Sequence, residues 1–462
     1  MLMDQAIKEK LIQIVGTERF SNKVIDLVSY SYDASSYENR PDCAVWATST
    51  EEVSKILCLA NREKIPVTVR GAGTGLGGLA VPAKGGIVLD LSRMNKILEI
   101  NIADRLAVVQ PGVVYADFQE ALAPYGFFFP PDPASGVVCT LGGNVGTNAG
   151  GLRAAKYGTT RDYVLALEAV LADGEAMRVG ARTMKTSSGY DLCKLLVGSE
   201  GTLAVITEIT LKIRPKAPCR ATALAVFKCL EDAGRAVTEV MHSEVTPSVM
   251  ELLDKMAIKL LKDHSNIDLP EAGAMLLVET DGLEQNYVRF ELDKVAVILE
   301  QCNAASLEIA QTEDEAEALW KARKSIGGMM GTLGLDYMAE DITVPMSKIA
   351  EFLHSSENLA SKYKLTLFNF GHVGDGNLHT NILYDSSDGD QVSRLEQLLY
   401  DLHKLACDLG GTLSGEHGIG MTKAKYMPLE HDPVALKVMR TLKRALDPNN
   451  ILNPGKMGLE LG

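Results

Sequence analysis

The eight cysteines stand at 43, 58, 139, 193, 219, 229, 302 and 407, and no two are separated by just two residues. That scatter argues against an iron–sulfur cluster or a thiolate zinc site. In a chain of 462 residues it also reads as reduced, mostly buried thiols and not as a disulfide framework. Positive charge is scarce as well: 46 Lys and Arg against 60 Asp and Glu leave a net charge of −14. Without a basic stripe to displace counterions, a nucleic-acid partner is not expected. No apolar run reaches the ~18 residues of a membrane span, and the opening MLMDQAIKEKLIQIV has the spacing of an amphipathic helix, not of a signal peptide. These absences point to a cytoplasmic chain of two or three domains, peripheral to a membrane only through a partner.

Glycine, by contrast, is plentiful. Residues 1–60 read as helical with an extended break at Asn39-Arg40-Pro41, and Ser49 caps a helix with Glu51 and Glu52 in its first turn. The β-branched run Ile65–Val69 then enters Arg70-Gly71-Ala72-Gly73-Thr74-Gly75-Leu76-Gly77-Gly78. Further strands are expected at Gly86–Leu91, Leu106–Gln110 and Ala204–Ile213, and a strand pair turns at Ala172–Glu175. Pro215 and Pro218 mark a boundary. Beyond it, strands such as Ala274–Glu279 and Thr366–Asn369 alternate with helices such as Tyr287–Glu300 and Gln391–Leu409, a sheet covered by helices.

The first glycine loop mimics a dinucleotide fingerprint, with Asp90 about twenty residues on. A Rossmann unit needs a helix directly after its glycines, and Leu79-Ala80-Val81-Pro82-Ala83-Lys84 cannot make one. The loop therefore runs strand to strand, where successive glycine N–H groups can still cradle phosphate. A second tract, Thr140-Leu141-Gly142-Gly143-Asn144-Val145-Gly146-Thr147-Asn148-Ala149-Gly150-Gly151, has too little side chain to be expected in a core. With Pro130-Pro131-Asp132-Pro133 and Glu200-Gly201-Thr202-Leu203 it makes several close-approach segments. One large phosphate-bearing ligand would account for them all.

The sharpest constellation is Gly371-His372-Val373-Gly374-Asp375-Gly376-Asn377-Leu378-His379. If Asp375-Gly376 is a two-residue hairpin turn, His372 pairs directly with His379, their Cβ atoms ~5 Å apart, a spacing that suits two imidazoles on one metal ion. Two half-buried histidines on a hairpin is the plainer reading. Glu416, in Ser414-Gly415-Glu416-His417-Gly418, adds a carboxylate, and three ligands with open positions is the pattern of a catalytic metal site. The other histidines (242, 264, 354, 403, 431) read as surface residues.

The combination VRGAGTGLGG, PPDPAS, TLGGNVGTNAGG and GSEGTLAVI resembles the FAD-binding domain of the vanillyl-alcohol oxidase and p-cresol methylhydroxylase type. GHVGDGNLH followed by SGEHGIG resembles the C-terminal FAD-linked oxidase domain of D-lactate dehydrogenases, glycolate oxidase FAD subunits and D-2-hydroxyglutarate dehydrogenases. The likeness runs from about residue 40 to the final ILNPGK. It implies an α+β fold: a two-subdomain FAD domain over 1–218, a substrate and metal cap with an antiparallel sheet over 219–430, and a segment 431–462 returning to the FAD domain. It implies that 70–78 wraps the FAD pyrophosphate, while 131–150 and 200–206 line the rest of the cofactor, with Pro131, Asp132, Thr140, Gly143, Asn144, Thr147, Asn148, Ala149, Gly150, Glu200, Gly201, Ile206 and Asn453 as the contacts. His372, His379 and Glu416 would bind one divalent metal (Zn, Fe or Mn). Asn381 and His417 would face the substrate, His417 as general base, and Arg323 would hold the substrate carboxylate.

The first histidine, His242, lies beyond the expected FAD domain, so a histidyl flavin link is set aside and FAD is expected to be non-covalent; a cysteinyl link stays open. Relatives acting on dicarboxylic acids carry a lysine where this chain has Ala339, which favours lactate or glycolate. With no second redox motif, an external acceptor is needed: a quinone, a cytochrome, an iron–sulfur subunit or an electron-transferring flavoprotein, in a homo- or hetero-oligomer. A metal-dependent hydrolase with merely structural glycine loops, and a non-catalytic flavin-binding subunit, are the competing readings.

Overall fold

The computed structural model describes residues 3–460 except 266, 268 and 331; Met1 and Leu2 of the N-terminal stretch lie outside the described residues. The chain divides into two compact units. The first comprises residues 1–150, 159–216 and 416–462, the second 151–158 and 217–415. The return to the first unit thus begins at Glu416, earlier than the expected 431. The excursion 151–158 goes with the second unit because Lys156 Nζ and Tyr157 Oη both bind the Asp281 carboxylate, at 2.5 and 2.6 Å.

The first unit holds three sheets, the smallest being the antiparallel pair Phe127–Phe128 and Arg214–Pro215. In the four-stranded one the order is Phe20–Ser21, Cys43–Trp46, Ile87–Asp90, Val67–Arg70. The last three strands run parallel and are buried. The strand at Cys43–Trp46 lies in the stretch read as helical. Its apolar run is too short for periodicity to tell strand from helix, and parallel pairing against Ile87–Asp90 decides it. The helix Thr50–Glu63 starts where Ser49 Oγ accepts the Glu52 N–H at 3.3 Å, and it buries Val53, Ile56, Leu57 and Ala60 against this sheet. The five-stranded sheet, Ile97–Asn101, Leu106–Val109, Val205–Lys212, Val164–Val170, Ala176–Gly180, is antiparallel throughout.

One expectation about the second glycine tract is overturned. Leu141–Thr147 is a short helix capped by Thr140, whose Oγ1 accepts the Gly143 N–H at 3.3 Å. Leu141 and Val145 enter the core of the five-stranded sheet. Two apolar side chains one turn apart suffice to anchor the helix, and the glycines leave its other side bare.

The second unit is a seven-stranded antiparallel sheet in the order Ser306–Ile309, Cys219–Phe227, Ala274–Gly282, Val249–Asp254, Thr366–His372, Asn377–Tyr384, Asp336–Thr343. Helices Lys255–His264 and Glu313–Met330 pack on the face carrying Val226, Leu253 and Met275. Helix Gln285–Gln301 packs Val288 and Leu292 on the opposite face, against Ala221 and Ala223. Helices on both faces explain why Val249–Asp254 is buried along its whole length. His403 departs from the surface reading. Helix Gly389–Asp408 buries it completely, with Nε2 3.3 Å from the Glu340 carboxylate. Amphipathic helices with a polar residue on the inward face look the same in sequence until a buried partner appears.

Candidate active site

In the first unit, strand Val67–Arg70 ends in the glycine loop. None of residues 71–86 is helical before the next strand, as the strand-to-strand reading requires. Asp90, the apparent ribose-binding acid, is buried and accepts from Tyr30 Oη at 2.6 Å and Ser92 N at 2.7 Å, so its part is structural. The Arg70 guanidinium likewise turns inward. It donates to the Tyr32 carbonyl at 2.8 Å and lies over the Tyr30 ring, so the loop offers backbone, not that side chain, to a ligand.

A half-open cavity, about 1340 Å³ of free space with open solvent included, lies against this loop. Residues 70–75 form one wall, and Thr140, Gly143, Asn144, Thr147 and Ala149 another. Glu200, Gly201, Ile206, Glu416, His417 and Asn453 complete it. Gly77, Pro131, Asp132, Asn148 and Gly150 are not on the wall. Several are committed to their neighbours: the Gly77 carbonyl accepts Met421 N at 2.8 Å, Asp132 N donates to the Gly150 carbonyl, and Asn148 Oδ1 accepts Arg161 N. Ala134, Ser135 and Cys139, within the expected 131–150, also line it, and so does Leu79, one residue beyond the expected 70–78.

The cavity fits a large polar ligand. Asn453 donates to the Leu79 and Glu200 carbonyls at 3.2 and 2.6 Å, while its buried Oδ1 has no hydrogen-bond partner among the described residues. Glycine is also sterically required. A Cβ at Gly142 would stand 2.5 Å from Pro111 Cβ and 2.9 Å from its carbonyl oxygen. Glu200 clasps the loop behind His417, accepting from Ile419 N at 2.6 Å and Gly420 N at 2.9 Å. Burial pushes its carboxyl up to about 7 against the pull of those N–H groups and of Lys456 and Lys423. Because the first unit contains His417 on the cavity wall, the ground for setting aside a histidyl link, that no histidine lies in the FAD domain, does not hold.

One face of the second unit's sheet carries the two histidines and their polar neighbours. Strand register sets Glu251 opposite His372, Phe370 opposite His379, His379 opposite Asp341, and Asn381 opposite Ala339. The expected hairpin register is therefore corrected: His379 faces Phe370 and lies diagonal to His372. The connection is four residues, Val373–Gly376, not two. The Asp375 carboxylate turns back to accept Asn377 N at 3.2 Å, and the Gly376 carbonyl takes Val344 N at 3.1 Å, which removes the closing pair a two-residue turn needs.

The imidazoles meet nonetheless. Their ring centroids are 5.0 Å apart and Nε2 is 3.3 Å from Nε2, and both side chains are buried. Two nitrogens at the Zn–N length of 2.0–2.1 Å and a tetrahedral angle are about 3.3 Å apart, whereas an N–H···N bond prefers less. A carboxylate oxygen of Asp341 is within 4.8 Å of a His379 ring nitrogen, and Asn377 and Ser414 hold that carboxylate at 2.6 and 2.7 Å. The two imidazoles alone have the separation that two ligands of one divalent cation would have. Glu416, the third ligand expected from sequence, belongs to the first unit.

Arg323 is not a helix-surface charge. Its side chain is 15% exposed, Nε is 2.5 Å from Glu251 Oε2, and the guanidinium lies over the Phe370 ring, 4.9 Å from its centroid. Glu251 Oε1 is 2.5 Å from His372 Nδ1. Burial would raise the Glu251 carboxyl, but His372 and Arg323 hold it down at about 2. Asn381, buried beside them, donates to the His379 carbonyl at 3.0 Å. Glu251 and Asp341 escaped sequence reading because no spacing ties them to the histidines; only strand register does.

A large cavity in an α+β unit and a second unit built on an antiparallel sheet are the parts of the p-cresol methylhydroxylase architecture of flavoproteins. p-Cresol methylhydroxylase itself superposes with a TM-score of 0.81 at 19% identity, over 98% of this chain and 96% of that one, and alkyldihydroxyacetonephosphate synthase with 0.76 at 18% over 98% and 86%. Residues 216–457 match the family model for the C-terminal domain of FAD-linked oxidases and residues 41–180 that for an FAD-binding domain. The chain belongs to the FAD-linked oxidases and is an FAD-linked oxidoreductase. Among its relatives are the glycolate oxidase subunit GlcD of Bacillus subtilis, 41% identical over 99% of this chain and 97% of that one. Another is a D-lactate dehydrogenase of Archaeoglobus fulgidus, 40% identical over 89% and 90%.

Proposed function

We propose that the protein oxidises a short D-2-hydroxy acid, D-lactate first among them, to the 2-oxo acid and hands the electrons to an external acceptor. The observation that carries this is the row Arg323, Glu251, His372, His379, three buried strand residues on one sheet face and an arginine of the helix that packs on it. It offers a forked cation for a carboxylate beside two imidazoles suited to a metal. FAD supplies the hydride acceptor. A divalent ion on His372 and His379, with Glu416 as third ligand on the sequence reading, would act as a Lewis acid toward the 2-hydroxyl.

The chain's own residues do the rest. Arg323 orients the carboxylate and Asn381 the substrate polar atoms, while His417 takes the hydroxyl proton as general base. Ala339, across from Asn381, brings no cation for a distal carboxylate. Glycolate is the second reading, favoured by the relative named as a glycolate oxidase subunit. That name also favours a hetero-oligomer, in which a quinone, a cytochrome, an iron–sulfur subunit or an electron-transferring flavoprotein takes the electrons.

Anaerobic mixing of the yellow protein with a panel of D- and L-2-hydroxy acids tests this. D-lactate is expected to bleach the flavin faster than L-lactate, glycolate or D-2-hydroxyglutarate. Fastest bleaching by glycolate moves the assignment to the second reading, and a higher kcat/KM for D-2-hydroxyglutarate overturns the argument from Ala339. A colourless, hydrolytic protein would sink the flavin reading altogether. His417→Ala is expected to lose at least 100-fold in flavin reduction rate, within the ordinary worth of a general base; near-normal turnover with FAD and metal retained removes the base assignment.

A further inference from the structure

We propose that Glu251 is a positioning residue with two tasks, setting Arg323 for the substrate carboxylate and His372 for the metal; this rests on the reading of those two residues given above. Glu251 is fully buried in the middle of strand Val249–Asp254, where an uncompensated carboxylate is strongly disfavoured. Its two oxygens are divided between two cationic or proton-donating partners, Oε1 on His372 Nδ1 and Oε2 on Arg323 Nε, each at 2.5 Å.

The consequence for each partner is specific. A hydrogen on Nδ1 committed to Glu251 leaves Nε2 as the lone-pair nitrogen of His372, and Nε2 is the atom turned toward His379. A buried carboxylate behind an imidazole fixes both the tautomer and the ring plane of a ligand histidine. Arg323 is engaged through Nε alone among the described residues. The Phe370 ring beneath the guanidinium fixes its plane, so its two terminal amino groups are left to bind an anion side by side. One carboxylate thus couples the group that would grip the acid to the group that would grip the ion. Register makes this possible: Glu251 faces His372 across the sheet, and helix Glu313–Met330 brings Arg323 down on the same face.

Glutamine in place of Glu251 has one acceptor oxygen and one N–H donor group, so it cannot accept from both partners. The holoprotein with FAD is titrated with Zn²⁺ against a chromophoric chelator, and KM is measured for the acid that bleaches the flavin fastest. Glu251→Gln is expected to weaken Zn²⁺ binding about 10–100-fold, the range seen when an outer partner of a ligand histidine is lost, and to raise KM as well. Glu251→Asp keeps the charge with a shorter reach and is expected to fall between wild type and Glu251→Gln in both readouts, which covers the case in which the glutamine variant does not fold. In the His372→Ala background the Zn²⁺ effect of Glu251→Gln should vanish, and in the Arg323→Ala background its KM effect should vanish, as a double-mutant cycle demands. If His372→Ala and His379→Ala lose Zn²⁺ while Glu251→Gln and Glu251→Asp leave affinity and KM within twofold of wild type, the positioning role is wrong and the site reading stands. If the histidine variants bind Zn²⁺ as wild type does, the site reading falls and the positioning role with it.

Discussion

At the scale of single residues, the glycines of the first unit's cavity carry a steric demand that is easy to test. Gly142 sits in the helix Leu141–Thr147 with Pro111 where its Cβ would be. Gly142→Val must push that helix away from Pro111 or into the cavity; overpacking of this kind costs about 1–3 kcal/mol. The variant is expected to melt several degrees lower and to purify with less flavin, read as the ratio of absorbance at 450 nm to that at 280 nm. Full flavin content at an unchanged melting point would show that the helix has room to move. The glycine tracts and the two histidines were legible in the sequence because each forms a local cluster. Glu251 and Asp341 were not, since a carboxylate in an apolar strand carries no mark of the strand that will lie beside it. Arg323 was legible only by resemblance, and its pairing with Glu251 spans 72 positions of sequence.

At the scale of elements, strands and helices beyond residue 200 matched their periodicity closely, while turns and short segments did not. The Asp-Gly signal gave the hairpin correctly but its register wrongly, because a turn that can cap itself with its own aspartate competes with the two-residue type. Helix Lys255–His264 shows how much one cap can do. Asp254, fully buried, accepts from Ala257 N at 2.8 Å and from Asn369 N and Nδ2 at 2.5 and 3.2 Å, tying the helix to the strand that ends in His372. Asp254→Ala is expected to cost about 2–4 kcal/mol, a lost cap plus an unsatisfied buried N–H.

The same residue gives a pH signature. Burial pushes its carboxyl up to about 7, those N–H groups pull against it, and Glu357 nearby adds to the rise. A group raised above its unfolded value of about 3.9 takes up a proton on folding. Its contribution to stability is complete below about pH 4 and is lost as pH rises through 7. Between pH 6 and 8 the melting temperature of the wild type should fall, and Asp254→Asn, though less stable overall, should show a flatter profile. An identical slope in both would assign the pH dependence elsewhere, Glu200 being the next group to examine.

At the scale of the whole molecule, the first unit is built from three stretches of chain, and its last one returns from far away to complete a sheet edge and a cavity wall. Val67 N donates to the Ile451 carbonyl and Asn453 N to the Val67 carbonyl, and Asn453 then reaches the cavity. The turn-rich tail was readable as irregular, but its destination was not, because a buried cation such as Lys443 looks like any helix-surface lysine. Lys443 is 3% exposed and donates to the Thr202 carbonyl, the Leu452 carbonyl and Asp447 Oδ2 at 2.9, 2.9 and 2.5 Å. Asp447 in turn accepts Ile451 N and Leu452 N, so one ammonium group gathers the middle of the chain and its end. Lys443→Met fills the volume but strands a buried carboxylate, a loss of about 3–5 kcal/mol. The expected result is a lower melting point together with weaker FAD retention on dilution, since Asn453 loses the support of the turn that carries it. Lys443→Met combined with Asp447→Leu removes the stranded charge and is expected to regain part of the stability but not the flavin affinity, because the N–H groups of Ile451 and Leu452 still lack their acceptor. Recovery of both in the double variant would show that the ammonium serves only to neutralise Asp447 and not to seat the returning chain.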